Sequence, residues 1–401
     1  MFKKVLSLCL ALIMVAAMCV SMSSCGESKD DFKLGVILLH DEASTYDLNF
    51  IEAVERAAEE LGLSDDQVIF KKNIPESNAC YEAAADLVDE GCDVIFADSF
   101  GHETYLLKAA KEFTDVQFCH ATGTMAHTEN LDNYHNAFAS IYEGRFLAGV
   151  AAGMKLNEMI ADGTITADKA KMGYVGAFTY AEVISGYTSF YLGAKYICPS
   201  VTMEVQFTGS WYDENEEKNA AIALANNGCV LISQHADSMG APTVCEDRNI
   251  PNVSYNGSTV ASCPNTFIVS SKIDWTPYFV YICESVMDGE EIALDWTGTI
   301  STGSVALAEV NATAAAEGTQ AKIDEVKAKL VAGELHVFDT DTFTVNGEKL
   351  TSYMADVDTD ADYAKDTEVI SDGYFHESTY RSAPYFDIMI DGITLLNTNF
   401  G

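Results

Sequence analysis

The sequence is poor in basic residues. Its 401 residues include 23 Lys and Arg against 61 Asp and Glu, which gives a formal net charge of −38. A surface of this charge repels nucleic acid and anionic lipid headgroups, so we expect no nucleic acid partner. The sequence also lacks both phosphate-binding signatures, G-x-x-x-x-G-K-[ST] and G-x-G-x-x-G. A nucleotide is therefore a poor candidate ligand.

Motifs for metal binding and for catalysis are missing as well. No two cysteines form C-x-x-C, and there is no H-E-x-x-H, no G-x-S-x-G and no EF-hand loop. The contiguous His40-Asp41-Glu42 has no spacing that demands a metal or an acid–base pair. We expect no cofactor, no metal and no catalysis; the alternative is a nucleoside-processing enzyme such as a nucleoside hydrolase.

Eleven cysteines are present, and several lie in or beside apolar runs, as in GCDVIF, VQFCHA and GCVLIS. In such runs cysteine behaves as a small hydrophobic residue. An exported protein can oxidise its cysteines. For the eight that follow Cys25 we expect buried free thiols rather than disulfides.

The N-terminus has the pattern of a secretory signal. Lys3 and Lys4 precede an apolar segment, residues 5–20, which is shorter than the ~20 residues of a membrane-spanning helix. Met22, Ser23 and Ser24 lead to Cys25 in a sequence that resembles a bacterial lipobox. We predict a signal peptide over 1–24, a diacylglyceryl anchor on Cys25 and a tether over 25–31, which places the protein at the extracytoplasmic face of the cell membrane. Conventional secretion and a transmembrane anchor are the alternatives.

The rest of the chain alternates between strand-like and helical segments. Spacings of 25–35 residues between the apolar runs indicate βαβ units and parallel sheets. The pattern repeats after residue 142, which favours two doubly wound α/β lobes over one wide sheet. The predicted strands are 33–39, 67–72, 93–99, 116–122, 171–178, 202–211, 229–236, 251–257 and 265–273, and the predicted helices include 49–63, 143–156, 181–196, 214–228 and 276–288.

The C-terminal part has a different character. Residues 314–330 have the composition of a helix, and residues 333–350 alternate around Asn346-Gly347, which is a hairpin signal. Residues 356–366 form an acidic stretch that we expect to be a solvated loop.

Ligands of open α/β sheets bind beyond the carboxyl ends of the strands. In this sequence those positions combine aromatic rings with single polar groups. Flat ring faces and a few hydrogen-bonding groups suit a planar heterocycle, because stacking and edge hydrogen bonds both contribute to its binding. The candidate ligand-binding residues are Trp211, Trp275, Phe100, Tyr46, Asp41, His235, Asp237, Asn256 and Lys272.

Each of these residues alone has a structural alternative. A tryptophan can belong to a core, and a lone histidine such as His235 can be a hydrogen-bonded structural residue. Lys272 can pair with an acid such as Asp274. Only their joint occurrence at strand ends supports a binding site.

Four motifs resemble one known family. The segments are IYEGRFLAGVAAGM (141–154), KMGYVGAFTYAEVISGYTSFYLGAKYICP (171–199), GSWYDENEEKNAAIALANNGCVLISQHADS (209–238) and DWTPYF (274–279). They resemble the signatures of the basic membrane protein (BMP) family, the substrate-binding lipoproteins of ABC importers for nucleosides and nucleobases. The second segment has Ala181 where the family has proline. The similarity runs from about residue 33 to 392.

The resemblance implies a type I periplasmic-binding fold, with two lobes that are joined by three crossovers and close on the ligand. It places Trp211 where the family has an aromatic that stacks on the base, and Lys272 where nucleoside binders have a ligand-contacting lysine. Asn256 lies where many members have aspartate, which puts ribose recognition in doubt. The loop HDEASTYDLNF lacks the D-D-x-S-F-N of nucleoside members, so the resemblance favours the nucleobase subgroup.

We therefore predict a substrate-binding lipoprotein that captures a purine nucleobase or nucleoside and delivers it to an ABC permease with its ATPase. The alternative is a ligand-sensing receptor module for a membrane signalling partner. Residues 32–140 with 270–296 are predicted to form lobe 1, and residues 141–269 with 297–401 are predicted to form lobe 2.

Overall fold

The β-branched and aromatic runs of the sequence form two separate sheets in the computed structural model, which describes residues 31–357 and 364–398. The predicted signal peptide, Cys25 and the tether up to residue 30 lie outside the described residues. Residues 358–363 of the predicted acidic loop also lie outside them. Within the described ranges, no helix combines the length and the apolar character needed to cross a membrane.

The first sheet is built mainly from the N-terminal third of the chain. Its strands are β1 (Leu34–Ile37), β2 (Val68–Lys71), β3 (Val94–Ala97), β4 (Gln117–Ala121), β5 (Tyr134–Ala139) and β11 (Asp295–Gly298). They lie in the order β11-β5-β4-β3-β1-β2, and all five neighbouring pairs are parallel. Every residue of β1 and β3 is buried, as expected for a parallel sheet covered on both faces.

The second sheet is built from the middle of the chain. Its strands are β6 (Lys171–Gly176), β7 (Thr202–Phe207), β8 (Leu231–Gln234), β9 (Asn252–Tyr255), β10 (Phe267–Ile273), β12 (Val305–Leu307) and β17 (Ile393–Leu395). The order is β12-β10-β9-β8-β6-β7-β17. The pairing of β12 with β10 is antiparallel, and the other pairs are parallel.

Helices connect the strands of each sheet. They are α1 (Thr45–Leu61), α2 (Asn78–Asp89), α3 (Glu103–Glu112), α4 (Ala126–Glu129), α5 (Ile141–Ala161), α6 (Ala181–Ile197), α7 (Glu214–Asn226), α8 (Gly240–Arg248), α9 (Thr276–Asp288) and α10 (Thr319–Val331). Single 3₁₀ turns lie at Asp65–Gln67, Phe100–His102 and Ala167–Lys169. Four two-residue strands in the C-terminal part, β13 (Met354–Ala355), β14 (Thr367–Glu368), β15 (Ile370–Ser371) and β16 (Tyr374–Phe375), form two small antiparallel pairs.

Helix α1 shows how the sequence sets these boundaries. The Ser44 hydroxyl accepts a hydrogen bond from the Asp47 amide at 3.2 Å and caps the N-terminus. Gly62 ends the helix in the left-handed region at φ 65°, which glycine adopts without steric cost. Phe50 and Val54 are on the buried face. The helix was predicted over 49–63 and begins four residues earlier, because the cap precedes its apolar stripe.

The chain passes between the two sheets three times, between β5 and β6, between β10 and β11, and between β11 and β12. This confirms the predicted fold of two parallel-sheet lobes joined by three crossovers. The predicted lobe boundaries at residues 270 and 297 fall inside β10 and β11. All of β10 pairs within the second sheet, and all of β11 pairs within the first sheet. The division of the remaining residues between lobes stays a prediction.

Glycines of the first two quoted motifs have a packing role. A Cβ atom on Gly149 would lie 2.1 Å from the Phe190 carbonyl oxygen, and one on Gly193 would lie 2.0 Å from the Phe146 carbonyl oxygen. Helices α5 and α6 therefore touch backbone to backbone, which only glycine permits at these positions. This contact lies immediately behind the second sheet.

The predicted strands all exist, but β5, β11, β12, β17 and the four two-residue strands β13–β16 were missed. Strand β5 reads YHNAFA, which is too polar to stand out from a loop. The C-terminal helix begins at Thr319 instead of residue 314, after Gly318 at φ 79°. The predicted hairpin is reduced to a tight turn at Asn346 and Gly347 with one bridge from Val345 to Glu348.

The chain after residue 331 packs mainly on the second lobe. Lys195 of α6 donates to the Thr342 carbonyl oxygen at 3.0 Å, and β17 extends the second sheet. The Ser382 amide also donates to Asp295 of β11 at 2.7 Å, so this segment reaches the first sheet as well. All eight cysteines in the described ranges are buried and free, as the sequence predicts.

Candidate ligand-binding site

A cavity of about 380 Å³, mouth included, lies between the two lobes at the carboxyl ends of both sets of strands. This is the place where open α/β sheets bind ligands. Its walls come from strand ends and from the first turns of the helices that follow them. The lining residues are Leu39, Tyr46, Asp47, Ser99, Phe100 and Thr122 of the first lobe, and Glu182, Trp211, His235, Asp237 and Tyr255 of the second.

The two lobes touch each other across this cavity. The Thr45 amide and hydroxyl donate to the Asp237 carbonyl oxygen at 3.0 and 3.2 Å. The rings of Phe100 and Tyr180 lie 5.0 Å apart, with one ring from each lobe. The structure is therefore a closed form, in which a ligand would be enclosed from both sides.

Aromatic rings form much of the cavity wall. Trp211 is half-buried and meets Phe178 edge-on at 5.0 Å, so the indole has a packed position. On the opposite lobe, the Tyr46 hydroxyl donates to the Asp98 carbonyl oxygen at 2.8 Å, which fixes that ring. Rings held on both sides of a narrow cavity can contact the faces of a planar ligand.

The polar wall of the second lobe rests on a fully buried arginine. Arg145 donates to His235 Nδ1 at 2.9 Å and to the Gln234 carbonyl oxygen at 3.3 Å. Its guanidinium also lies 3.6 Å from the centre of the Tyr255 ring. Because Arg145 is a donor only, His235 Nδ1 accepts and the ring hydrogen is on Nε2, which donates to Glu182 at 3.1 Å. Burial lowers the pKa of His235, so the imidazole is neutral.

Three carboxyl groups line the cavity, from Asp47, Glu182 and Asp237. Burial alone would raise the pKa of Asp47, but hydrogen bonds from His40 and Ser44 outweigh it and lower the pKa. Burial, and after it the charge of Asp47, raises the pKa of Asp237 well above its usual range. The same causes raise the pKa of Asp98, which lies behind Asp47. A hydrogen bond donated by a ligand would favour the charged form of these groups again.

The first-lobe wall also contains a strained residue. Thr122 follows β4 with φ 64°, in the left-handed region that β-branched residues rarely adopt. Its hydroxyl donates to the Ala121 carbonyl oxygen at 2.5 Å. Such strain persists where the surrounding structure fixes it, and it is common at functional sites.

Five of the nine candidate residues line the cavity. They are Tyr46, Phe100, Trp211, His235 and Asp237. The cavity brings them together from three strand ends and one helix N-terminus. Their contact with a ligand stays a prediction.

The structure places the other four candidates away from the cavity wall. Trp275 is 1% exposed and stacks on Phe50 at 4.7 Å, inside the core of the first lobe. Asp41 is on the surface and accepts hydrogen bonds from Ala43 and Asn73. Lys272 is on β10 opposite Ala306 of β12. Asn256 is buried with φ 63°, one residue beyond the cavity-lining Tyr255.

Six lining residues were not among the candidates. Asp47 and Glu182 were missed because they lie in the first turns of helices that follow strands, and only strand ends were searched. Tyr255 was missed by one position, since Asn256 was chosen in its place. Leu39, Ser99 and Thr122 carry no chemical signal that separates them from ordinary loop residues.

In the described ranges, no group of three or more His, Cys, Asp and Glu side chains is arranged to hold a metal ion.

The chain matches a family model and individual known proteins. Residues 36–340 match the model of the Bmp family, described as ABC transporter substrate-binding protein PnrA-like. A purine-binding protein of Brucella abortus (strain 2308) is 31% identical over 273 residues, which is 68% of this chain and 73% of that protein. A Haloferax volcanii protein named as an ABC transporter glucose-binding protein is also 31% identical, over 53% of this chain and half of its own length.

A solved structure shares the fold. An ABC transporter solute-binding protein from Aeropyrum pernix K1 superposes with a TM-score of 0.63 at 18% identity, over 77% of this chain and 93% of that chain. At this identity the likeness concerns the arrangement of the two lobes and not the ligand.

Proposed function

The chain belongs to the PnrA-like family of ABC transporter substrate-binding proteins, and from that premise we propose that it captures a purine nucleobase or nucleoside between its closing lobes. Members of this family are binding proteins that work outside the cytoplasm. Beyond the family membership, we propose a class of ligand, a membrane partner and a lipid anchor.

The cavity at the two sets of strand ends is the observation that carries the proposal. Its aromatic walls, at Tyr46 and Phe100 on one lobe and Trp211 and Tyr255 on the other, suit the faces of a flat ring. Stacking contributes about 1–3 kcal/mol per base. The acids and the neutral imidazole suit the polar edge of such a ring. The Brucella relative, which is named for purine binding, supports the same class of ligand.

Within this class, the site favours a free base. The two positions that the family resemblance links to nucleoside recognition, Asn256 and Lys272, do not line the cavity. A ribose would therefore lack the partners that nucleoside binders give it. The anionic character of the chain and the absence of Lys and Arg from the cavity wall disfavour phosphorylated ligands.

Calorimetric titration of the purified protein with adenine, hypoxanthine, adenosine and guanosine tests this proposal. We expect a one-site isotherm with a dissociation constant below about 1 mM, which corresponds to about −4 kcal/mol, for at least one base. Glucose is the matched control ligand, because the Haloferax relative is named for it. Heat from glucose and none from any purine would contradict the proposal.

The proposed partners are an ABC permease and its ATPase, which would receive the base when the lobes open. The proposed anchor is a diacylglyceryl group on Cys25. Two acyl chains at about 0.8 kcal/mol per buried CH₂ are enough for stable attachment to a membrane.

The anchor can be tested by labelling. Cells that express the chain with radiolabelled palmitate should yield a labelled protein, and Cys25→Ser should abolish the label because the thiol is the acceptor. Cys19→Ser, a change of the same kind within the predicted signal peptide, is the control and should keep the label. A labelled Cys25→Ser protein would contradict the anchor.

A further inference from the structure

The cavity wall offers acceptors to a ligand and few donors. Among its eleven lining residues there are three carboxyl groups and no Lys or Arg. The one basic side chain, His235, is neutral, and its ring hydrogen is already donated to Glu182. A ligand therefore meets no cationic donor here.

Most hydroxyl groups in the wall have also donated their hydrogens to the protein. Ser99 donates to Glu76 at 2.6 Å, Tyr46 donates to the Asp98 carbonyl oxygen at 2.8 Å, and Thr122 donates to the Ala121 carbonyl oxygen at 2.5 Å. The indole N–H of Trp211 and the Tyr255 hydroxyl remain for ring nitrogens of a ligand. The wall can therefore accept more hydrogen bonds from a ligand than it can donate.

Asp237 is the lining residue that a hydrogen-bond donor from the ligand would stabilise most. It is 5% exposed, and its backbone is fully used: the amide donates to the Trp211 carbonyl oxygen, and the carbonyl oxygen accepts from Thr45. Its carboxyl group, in contrast, accepts no hydrogen bond from any residue in the described ranges, and it lines the cavity. A buried carboxyl group without a partner is costly, and a ligand donor that reaches it stabilises its charged form.

We propose that the ligand is an uncharged purine that carries an exocyclic amino group, and that Asp237 accepts a hydrogen bond from this group. This inference rests on the proposed function, because it selects among purines. An oxo purine also has ring N–H donors, but in place of the amino group it presents a carbonyl oxygen, which offers Asp237 no hydrogen to accept. An anionic purine such as urate is repelled by the charge of Asp47.

A panel of three bases on the wild-type protein tests the preference. We expect adenine to bind at least about tenfold more tightly than hypoxanthine, which replaces the amino group by an oxo group, and than unsubstituted purine, which lacks the amino group. Titration calorimetry or competition against a labelled base gives the ratios.

The variant Asp237→Ala tests the named residue. Its side chain makes no hydrogen bond within the described protein, so truncation should leave the thermal midpoint nearly unchanged. The adenine-to-hypoxanthine ratio should fall to about one, since the group that reads the amino group is gone. Asp247→Ala removes an exposed acid from the same lobe and should keep the wild-type ratio.

The outcomes separate the two proposals. If no purine binds the wild-type protein, the proposed function fails. If purines bind but adenine has no advantage, or if Asp237→Ala keeps the wild-type ratio, the amino-group inference fails and the proposed function stands.

Discussion

Replacing Trp275 by alanine should lower the free energy of unfolding by about 3–5 kcal/mol and leave purine affinity of the folded protein unchanged. Trp275 is fully buried, stacks on Phe50 at 4.7 Å and meets Phe96 edge-on at 6.0 Å. Its removal leaves a large cavity in the core of the first lobe. Because this side chain does not line the ligand cavity, stability changes and binding does not.

Trp211→Ala is the matched change in the second lobe, and it should have the opposite effects. The indole is half-buried at the cavity wall, so its loss should weaken purine binding by about 1–3 kcal/mol, the contribution of one stacked ring. Urea unfolding gives the unfolding free energy of both variants, and calorimetry gives their purine affinity. If Trp275→Ala does not fold, Trp275→Phe, which keeps a ring against Phe50, takes its place. Loss of binding in a well-folded Trp275 variant would contradict these assignments.

Replacing Arg145 by methionine should have the second large effect, a loss of about 3 kcal/mol or more in unfolding free energy. The change removes the donor of the Gln234 carbonyl oxygen and of the Tyr174 hydroxyl, and it leaves His235 Nδ1 with the Tyr174 hydroxyl at 3.3 Å as its partner. Each buried group left unsatisfied costs about 1–3 kcal/mol. The Tyr255 ring also loses the cation packed on its face.

Arg248→Met is the control for Arg145→Met. Arg248 is an exposed arginine of the same lobe that donates to Asn226 at 3.0 Å, and its replacement should change stability by less than about 0.5 kcal/mol. Equal stability of the two variants, measured by urea unfolding, would show that the buried guanidinium is not essential to the second lobe.

The fold was predictable from the sequence because its signals are local and repeated. Apolar runs such as residues 93–99 and 229–236 are buried strands, and their spacing indicates parallel pairing. The strands that escaped prediction are short or polar. Strand β11, for example, reads DWTG and owes its place to pairing with β5, which lies far away in the sequence. Pairing of this kind cannot be read from local composition.

Only part of the site was predictable, because the sequence indicates where a residue lies but not where its side chain points. All nine candidates lie near strand ends, but a strand end does not fix where a side chain points. Tyr255 is the last residue of β9 and lines the cavity, whereas Asn256 follows the strand in the left-handed region at φ 63° and does not. Trp275 begins helix α9 and turns into the core, where Phe50 and Phe96 accommodate it.

The charges of the site depend on contacts that no sequence pattern reveals. Arg145 is within a helix motif whose glycines suggest packing alone, and its role appears only when α5 lies against the strands that end at His235 and Tyr255. The unpaired carboxyl of Asp237 depends in the same way on the closed arrangement of the lobes. Such features need the tertiary structure.

A crystal structure of the protein with adenine tests most directly whether the lobes close on a flat, uncharged ring. The expected result is a ring between the first-lobe and second-lobe walls, in face contact with Trp211 and with a hydrogen-bond donor on the carboxyl of Asp237. A cleft that holds a sugar instead, or a base bound outside it with Trp211 turned away, would contradict this mode of binding.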